Sequence, residues 1–166
     1  MIEFKKAITK EHYQVISDLA KIIWTEHYIK IISKEQVSYM LEKFQSITAI
    51  EKQILEECYH YYTVYHNYSV IGYLAIKKEN TSLFLSKIYI TKEHRGQGIG
   101  KNTINFIFDQ ATDLDCKRVY LTVNKYNKNT IKAYENMGFK KTEELIIDIG
   151  NGYIMDDYKM VKNLIN

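Results

Sequence analysis

Apolar residues recur at two spacings along this chain, and the spacing changes near residue 59. Ile2 and Phe4, and less cleanly Ala7 and Ile8, alternate with polar residues, which predicts a strand from Ile2 to Ile8. Thr9 suits an N-cap, and Val15, Leu19 and Ile22 follow at helical spacing, so a helix is predicted from Lys10 to about Glu26. Ser33 followed by Gln36 has the form of a capping box and opens a helix through Val37, Met40, Leu41 and Phe44. Ser46 suits the cap of a third helix carrying Ile47, Ile50, Ile54 and Leu55. From Tyr59 the helical period gives way to aromatic and β-branched runs. Tyr61–Tyr65 and Val70–Ile76, joined by the turn residues His66–Ser69, predict a hairpin. Gly72 inside its second strand predicts a bulge or a close packing contact. A polar stretch with a turn at Asn80 leads to a further strand over Leu83–Ile90.

Helical spacing returns after residue 98, with Ile104, Ile107, Phe108 and Ala111 on one face. Lys117–Val123 predicts a strand, and Asn127–Met137 a short helix with Gly138 at its C′ position. Phe139–Ile149 and Tyr153–Val161 then predict two strands around the turn Gly150-Asn151-Gly152. The order is a strand, three helices, a β meander, then strand–loop–helix–strand–helix, then a hairpin. That order predicts an α/β or α+β fold with a mixed sheet, in a single domain over residues 1–166.

Composition narrows this only slightly. The chain has 166 residues, 46% of them apolar and 26% charged, as expected of one globular domain. The absence of proline argues against linkers. Fifteen tyrosines fit a β-rich protein or an aromatic-lined cleft, and a coding bias explains them equally well. A net charge of +3 without a basic cluster points away from nucleic acid. No apolar run approaches the ~20 residues that span a bilayer, so no membrane partner is expected. The N-terminus lacks the pattern of a signal peptide, and Cys58 and Cys116 form no Cys-x-x-Cys pair. Free thiols and a cytoplasmic location are the expectation. His12, His27, His60, His66 and His94 show no ligand spacing with the cysteines, so no metal is expected.

The candidate chemistry lies where the Leu83–Ile90 strand runs through Arg95-Gly96-Gln97-Gly98-Ile99-Gly100-Lys101 into a helix. Glycine lets backbone approach an oxyanion, the first helical turn leaves N–H groups free, and its dipole, Arg95 and Lys101 add positive charge. The loop is therefore a candidate pyrophosphate site. A P-loop, Gly-x-x-x-x-Gly-Lys-Ser/Thr, would need glycine at Arg95 and a hydroxyl at Asn102, so it fails at both ends. The dinucleotide fingerprint would need glycine at Lys101 or Thr103. It fails too.

Arg95, Gly98 and Gly100 do fit Arg/Gln-x-x-Gly-x-Gly/Ala, which resembles the acetyl-CoA signature of the GNAT family of N-acetyltransferases. A second segment, Asn127 to Phe139, resembles that family's Asn-x-x-Ala-x-x-x-Tyr-x-x-x-Gly-Phe motif, with Asn127, Tyr134, Gly138 and Phe139 in register and Thr130 in place of alanine. The resemblance implies a central, mostly antiparallel sheet whose parallel strands Leu83–Thr91 and Arg118–Asn124 splay apart, with flanking helices. It implies acetyl-CoA as co-substrate, held by the backbone of Ile88, Tyr89 and Ile90, with Arg95, Gly96, Gln97, Gly98, Ile99, Gly100 and Lys101 around the pyrophosphate and Asn127 touching the cofactor. Asn127 also suits a helix N-cap. Tyr134 would protonate the departing thiolate, its bland reading being a packing residue.

Many relatives carry a glutamate on the strand before the loop, where this chain has Phe84 and Ser86, followed by the cation Lys87. The base is therefore open: either a water chain removes the proton or a residue elsewhere does, and Glu26, His27 and Tyr28, at the end of the first helix, are candidates for this and for acceptor contact by position. Gly152-Tyr153-Ile154-Met155-Asp156-Asp157-Tyr158 is similar to a run in bacterial diamine or polyamine acetyltransferases, which makes Tyr153 and Asp156 acceptor candidates. The expected partner is a small-molecule amine, with a homodimer expected from relatives. An amino acid, an aminoglycoside or a protein N-terminus stays open as acceptor. So does a non-catalytic acyl-CoA sensor.

Overall fold

The computed structural model describes residues 1–164. The elements run β1 Ile2–Lys6, α1 Lys10–Tyr28, α2 Lys34–Gln45, α3 Ile47–Glu56, β2 His60–His66, β3 Ser69–Glu79, β4 Ser82–Ile90, α4 Ile99–Asp113, β5 Arg118–Asn124, α5 Lys128–Asn136, β6 Lys140–Gly150 and β7 Tyr153–Asn163. The seven strands form one mixed sheet in the order β1-β2-β3-β4-β5-β7-β6. The chain falls into two compact units, Met1–Lys77 with Lys87–Asn105, and Lys78–Ser86 with Phe106 onward.

In the first unit the capping signals act as predicted. Thr9 Oγ1 accepts from the His12 amide, and His12 Nδ1 accepts from the amides of Ile8 and Thr9, so a histidine fills the place a glutamate usually takes in a capping box. The Ser33 and Ser46 hydroxyls cap α2 and α3. The first strand stops at Lys6 rather than Ile8. Ala7 is buried and still bonds to Tyr61 O, while Ile8 turns to solvent as the helix cap begins. Helix α1 continues two residues past Glu26, to Tyr28.

Strands β1, β2 and β3 pair antiparallel, Phe4 opposite Val64 and Thr63 opposite Tyr73. Gly72 meets both readings offered for it. The β2 register shifts at Val64/Tyr65 beside it, and a Cβ at Gly72 would lie 2.2 Å from the backbone oxygen of Tyr89. The core holds two tyrosines, Tyr61 and Tyr73, without exposed surface. Their hydroxyls need partners once buried. Tyr73 donates to Gln45 Oε1 at 2.6 Å, Gln45 Nε2 donates to Tyr61 at 3.1 Å, and Tyr61 donates to Gln53 Oε1 at 2.5 Å. Burial pushes both phenols well above their ordinary value, so the network is neutral.

In the second unit β5 pairs antiparallel with β7 along the whole of β5, from Arg118 opposite Asn163 to Asn124 opposite Asp157, and β6 is paired to β7. The β4–β5 ladder is parallel and short. It joins Ser82–Phe84 to Arg118–Tyr120, although the strands run on to Ile90 and Asn124. Leu83, Ile107, Val119, Leu121, Phe139 and Met160 form the core of this unit. Among the described residues no helix is long and apolar enough to cross a membrane.

Candidate functional site

The glycine loop is braced from behind and open in front. After β4 a single 3₁₀ turn, Lys92–His94, is closed by His94 N–H to Thr91 O, and Thr91 Oγ1 lies 2.9 Å from His94 Nδ1. Arg95 Nε donates to Ile90 O at 2.9 Å, and Gln97 Nε2 donates to Glu93 O at 3.0 Å. Gly96 and Gly98 take φ of +74° and +78°, which residues with a Cβ rarely adopt, and no atom lies within 4 Å of the Cβ either would carry. Helix α4 starts at Ile99, and residues Arg95–Gly98 and Gly100–Asn102 are exposed. An exposed glycine loop whose side chains hold its own frame and which leads into a helix N-terminus suits a diphosphate.

Aromatic residues gather where α1 meets β3 and β4. Tyr28, at the end of α1, shares a hydrogen bond of 2.8 Å with the Tyr89 hydroxyl on β4. The Tyr89 ring also lies against Trp24 and Tyr73, each at 5.6 Å. His27 packs on Tyr28, and burial, followed by the nearby Arg95 charge, lowers its pKa and keeps the imidazole neutral. Glu26 is exposed. Of the predicted acceptor residues, Tyr28 is thus joined to the strand that carries Ile88, Tyr89 and Ile90, and Glu26 faces solvent. Lys87, noted only as a cation from sequence, has its ammonium pushed down to about 8 by desolvation.

In the second unit Tyr134 lies on α5, 9% exposed, its ring edge-on to Phe139 at 5.6 Å. The amides of Met137 and Phe139 both bond to Tyr134 O, which fixes the end of the helix and the tyrosine together. Asn127 is the N-cap residue by position, but its side chain makes no cap hydrogen bond. Tyr153 opens β7 opposite Gly150. Asp156 is drawn into an ion pair, with Lys125 Nζ at 2.7 Å and Glu144 Oε1 on the far side of that ammonium at 3.4 Å.

The residue that sequence reasoning passed over is the next one. Asp157 is 5% exposed, and burial, with the Asp156 charge, raises its carboxyl from 3.8 to about 6, against the Thr122 hydroxyl and Lys125. Its pairing register distinguishes it from Asp156, and no local signal does. No group of three or more His, Cys, Asp or Glu side chains able to hold a metal occurs among the described residues.

Comparison with known proteins places this geometry in context. The model of the acetyltransferase (GNAT) family matches residues 16–139. A probable spermine N(1)-acetyltransferase of Bacillus subtilis subsp. natto is 25% identical over 151 residues, covering 84% of this chain and 89% of that one. Among solved structures, the PaiA N-acetyltransferase of Thermoplasma acidophilum, in complex with coenzyme A, superposes with a TM-score of 0.80 at 18% identity, over 98% of this chain and 99% of that one. A chimera of the Vibrio cholerae spermidine N-acetyltransferase SpeG with hSSAT gives 0.73 at 22% identity, over 98% and 95%. These two structures share the fold, the splayed α/β sheet expected from the Arg95 and Asn127 motifs.

Proposed function

Because the chain belongs to the acetyltransferase (GNAT) family and is therefore an acyltransferase, we propose that it moves an acetyl group from acetyl-CoA directly to a primary amine, and that the acceptor is a small diamine or polyamine. The observation that carries the donor half is the braced, exposed loop from Arg95 to Lys101 at the start of α4. Its amides, with Arg95 and Lys101, hold the pyrophosphate. The backbone of Ile88, Tyr89 and Ile90 pairs with the pantetheine amides, and Asn127 touches the cofactor. The short β4–β5 ladder, which joins only Ser82–Phe84 to Arg118–Tyr120, supports this. The bound cofactor supplies the thioester and a thiolate leaving group.

The acceptor nitrogen attacks the thioester carbon without a covalent enzyme intermediate. A backbone N–H at the end of β4 polarises the carbonyl oxygen. Tyr134 gives its phenolic proton to the departing thiolate, a transfer from a phenol of pKa ~10 to a thiol of ~8.5 that is close enough to be useful in a general acid. The cationic acceptor is supported by the relative at 25% identity, named a probable spermine N(1)-acetyltransferase, and by the aspartates of β7. The acceptor candidates are Glu26 and Tyr28 in the first unit and Tyr153 and Asp156 in the second.

Thiol release from acetyl-CoA, measured over polyamines, aminoglycosides, amino acids and short peptides, tests the reading. Spermine or a related polyamine is expected to be turned over with the highest kcat/KM. Tyr134→Phe is expected to lower kcat by roughly 10²-fold with little change in the KM for acetyl-CoA. An unchanged rate in Tyr134→Phe would remove the acid role. A second reading, a non-catalytic acyl-CoA sensor, is favoured by one observation: Phe84 and Ser86 leave β4 without a carboxylate. Coenzyme A binding without thiol release on any amine would support it.

A further inference from the structure

An amine acceptor reaches the protein as an ammonium ion, and its nitrogen cannot attack until a proton has gone. On β4 the alternating positions Phe84 and Ser86 offer no base. The strand registers of the second unit show what else stands on that face. Phe84 lies opposite Tyr120 in the parallel β4–β5 ladder. Across β5 and β7, Tyr120 lies opposite Val161, Thr122 opposite Lys159 and Asn124 opposite Asp157. Directly opposed residues share a face, as do alternate residues of one strand. Phe84, Ser86, Tyr120, Thr122, Asn124 and Asp157 therefore stand on one side of the sheet. Two contacts bear this out: Phe84 stacks on Tyr120 at 4.8 Å, and the Thr122 hydroxyl bonds to the Asp157 carboxylate.

Asp157 is the one carboxylate on this face among the residues just named, and it is incompletely satisfied. Its Oδ1 is buried and has no hydrogen-bond partner among the described residues. Asn124, opposite Asp157, has its side-chain carbonyl engaged by the Tyr126 amide at 2.9 Å. The neighbouring charges are engaged elsewhere. Lys125 pairs with Asp156 and Glu144, and Lys159 pairs with Glu143 at 3.7 Å. A buried carboxylate oxygen left without a donor is rare in native folds and marks a place where an incoming donor is worth much. An alkylammonium is such a donor, with three N–H groups and a full charge.

We propose that Asp157 receives the acceptor's ammonium group and is its general base, taking one N–H proton directly or through one water. The inference rests on the amine acetyltransferase reading. The protons balance. Of the three on the ammonium, one stays on the amide nitrogen, one leaves through Asp157 to solvent, and one offsets the proton that Tyr134 gives to sulfur. The C–N bond forms as the C–S bond breaks, and the products are the N-acetylamine and coenzyme A. The raised carboxyl of Asp157 suits this role, because it remains ionised at pH 7.5 while binding a proton more strongly than an ordinary aspartate. The charges that bear on its titration are Asp156 on its own strand, which raises it, and Lys125 after β5, which lowers it; around them Lys125 is paired with Glu144 on β6, and Lys159 on β7 with Glu143 on β6.

Thiol release by the full chain with acetyl-CoA and spermine, followed across pH, reads the proposal. Asp157→Asn is expected to lower kcat/KM for spermine by about 10²-fold or more and to abolish the rise in kcat/KM near pH 6. Coenzyme A should still raise the Tm of this variant as it does that of the parent, and Asp157→Glu should recover part of the rate. An Asp157→Asn variant that turns over within about threefold of the parent, on an unchanged pH profile, overturns the assignment and leaves the acetyl transfer reading standing. If that variant does not fold, the parent's profile decides: no titration between about pH 5 and 7 overturns it. A parent that binds coenzyme A yet acetylates no amine defeats the acetyl transfer reading itself, and this proposal with it.

Discussion

Burial raises the Asp157 carboxyl from 3.8 to about 6, and this shift has a sign for stability as well as for chemistry. The folded state holds the proton more tightly than the unfolded chain, so stability falls as pH rises from about 3.8 to 6 and the full cost persists above that. The shift corresponds to at most ~3 kcal/mol, with Thr122 and Lys125 already opposing it. Asp157→Asn removes the charge while keeping shape, and is expected to stabilise the fold by roughly 1–3 kcal/mol at pH 8 and by little at pH 4. Urea unfolding at the two pH values measures the difference. Equal midpoints for variant and parent at pH 8 would mean that the carboxylate is adequately satisfied. A substitution that strengthens the fold and weakens turnover is the signature of a group held at a cost for function. Tyr134 differs: it anchors the end of α5 through its backbone, so Tyr134→Phe leaves those bonds in place and tests the hydroxyl alone.

At the scale of elements, glycines of β3 and α4 answer different constraints. Gly72 has the Tyr89 oxygen 2.2 Å and the Ile90 Cα 3.2 Å from where its Cβ would be, and both belong to backbone that cannot swing aside. Gly72→Ala is therefore expected to cost about 1–3 kcal/mol and to weaken coenzyme A binding, since it displaces the stretch proposed to pair with pantetheine. Gly100, in the first turn of α4, has no atom within 4 Å of its Cβ position and needs no unusual φ. Gly100→Ala is expected to gain about 0.4–1 kcal/mol and to keep coenzyme A binding. Urea midpoints and a coenzyme A titration on both variants check the contrast. If Gly72→Ala proved as stable as the parent, the close approach of β3 to Tyr89 would be wrong.

For the molecule as a whole, the donor site predicts a linkage between cofactor and folding. Coenzyme A at 100 times its Kd is expected to add ~2.7 kcal/mol. For a chain of this length that is a rise in Tm of about 5–10 °C, measurable by thermal shift. Raising salt from about 0.05 to 0.5 M should shrink the rise, because Arg95 and Lys101 act on the pyrophosphate from an exposed loop. A rise of the same size with adenosine alone would place the affinity away from the loop.

Most elements were readable before any coordinates, because their signals are local. Thr9, Ser33 and Ser46 cap helices through bonds to residues three away, and Gly96 and Gly98 adopt backbone angles that scarcely depend on the rest of the fold. The family followed from the same kind of information, two short motifs whose spacing is written in the chain. Several boundaries slipped, β3 running on to Glu79 and β7 to Asn163; those at Lys6 and Tyr28 are where a cap or a tertiary contact overrules the hydrophobic period. The acceptor half was not readable. Asp156 and Asp157 are equivalent in composition and adjacent in sequence, and β7 is half-buried on both faces, so alternation cannot choose between them. Only the register against β5 and β6 turns one toward Lys125 and buries the other beside Thr122. The same holds for the Gln45–Tyr61–Gln53–Tyr73 network and for the lowered Lys87, whose partners and dielectric come from residues far along the chain. Local backbone chemistry determined the Arg95–Lys101 loop; long-range pairing decided which aspartate of β7 is ion-paired and which is buried.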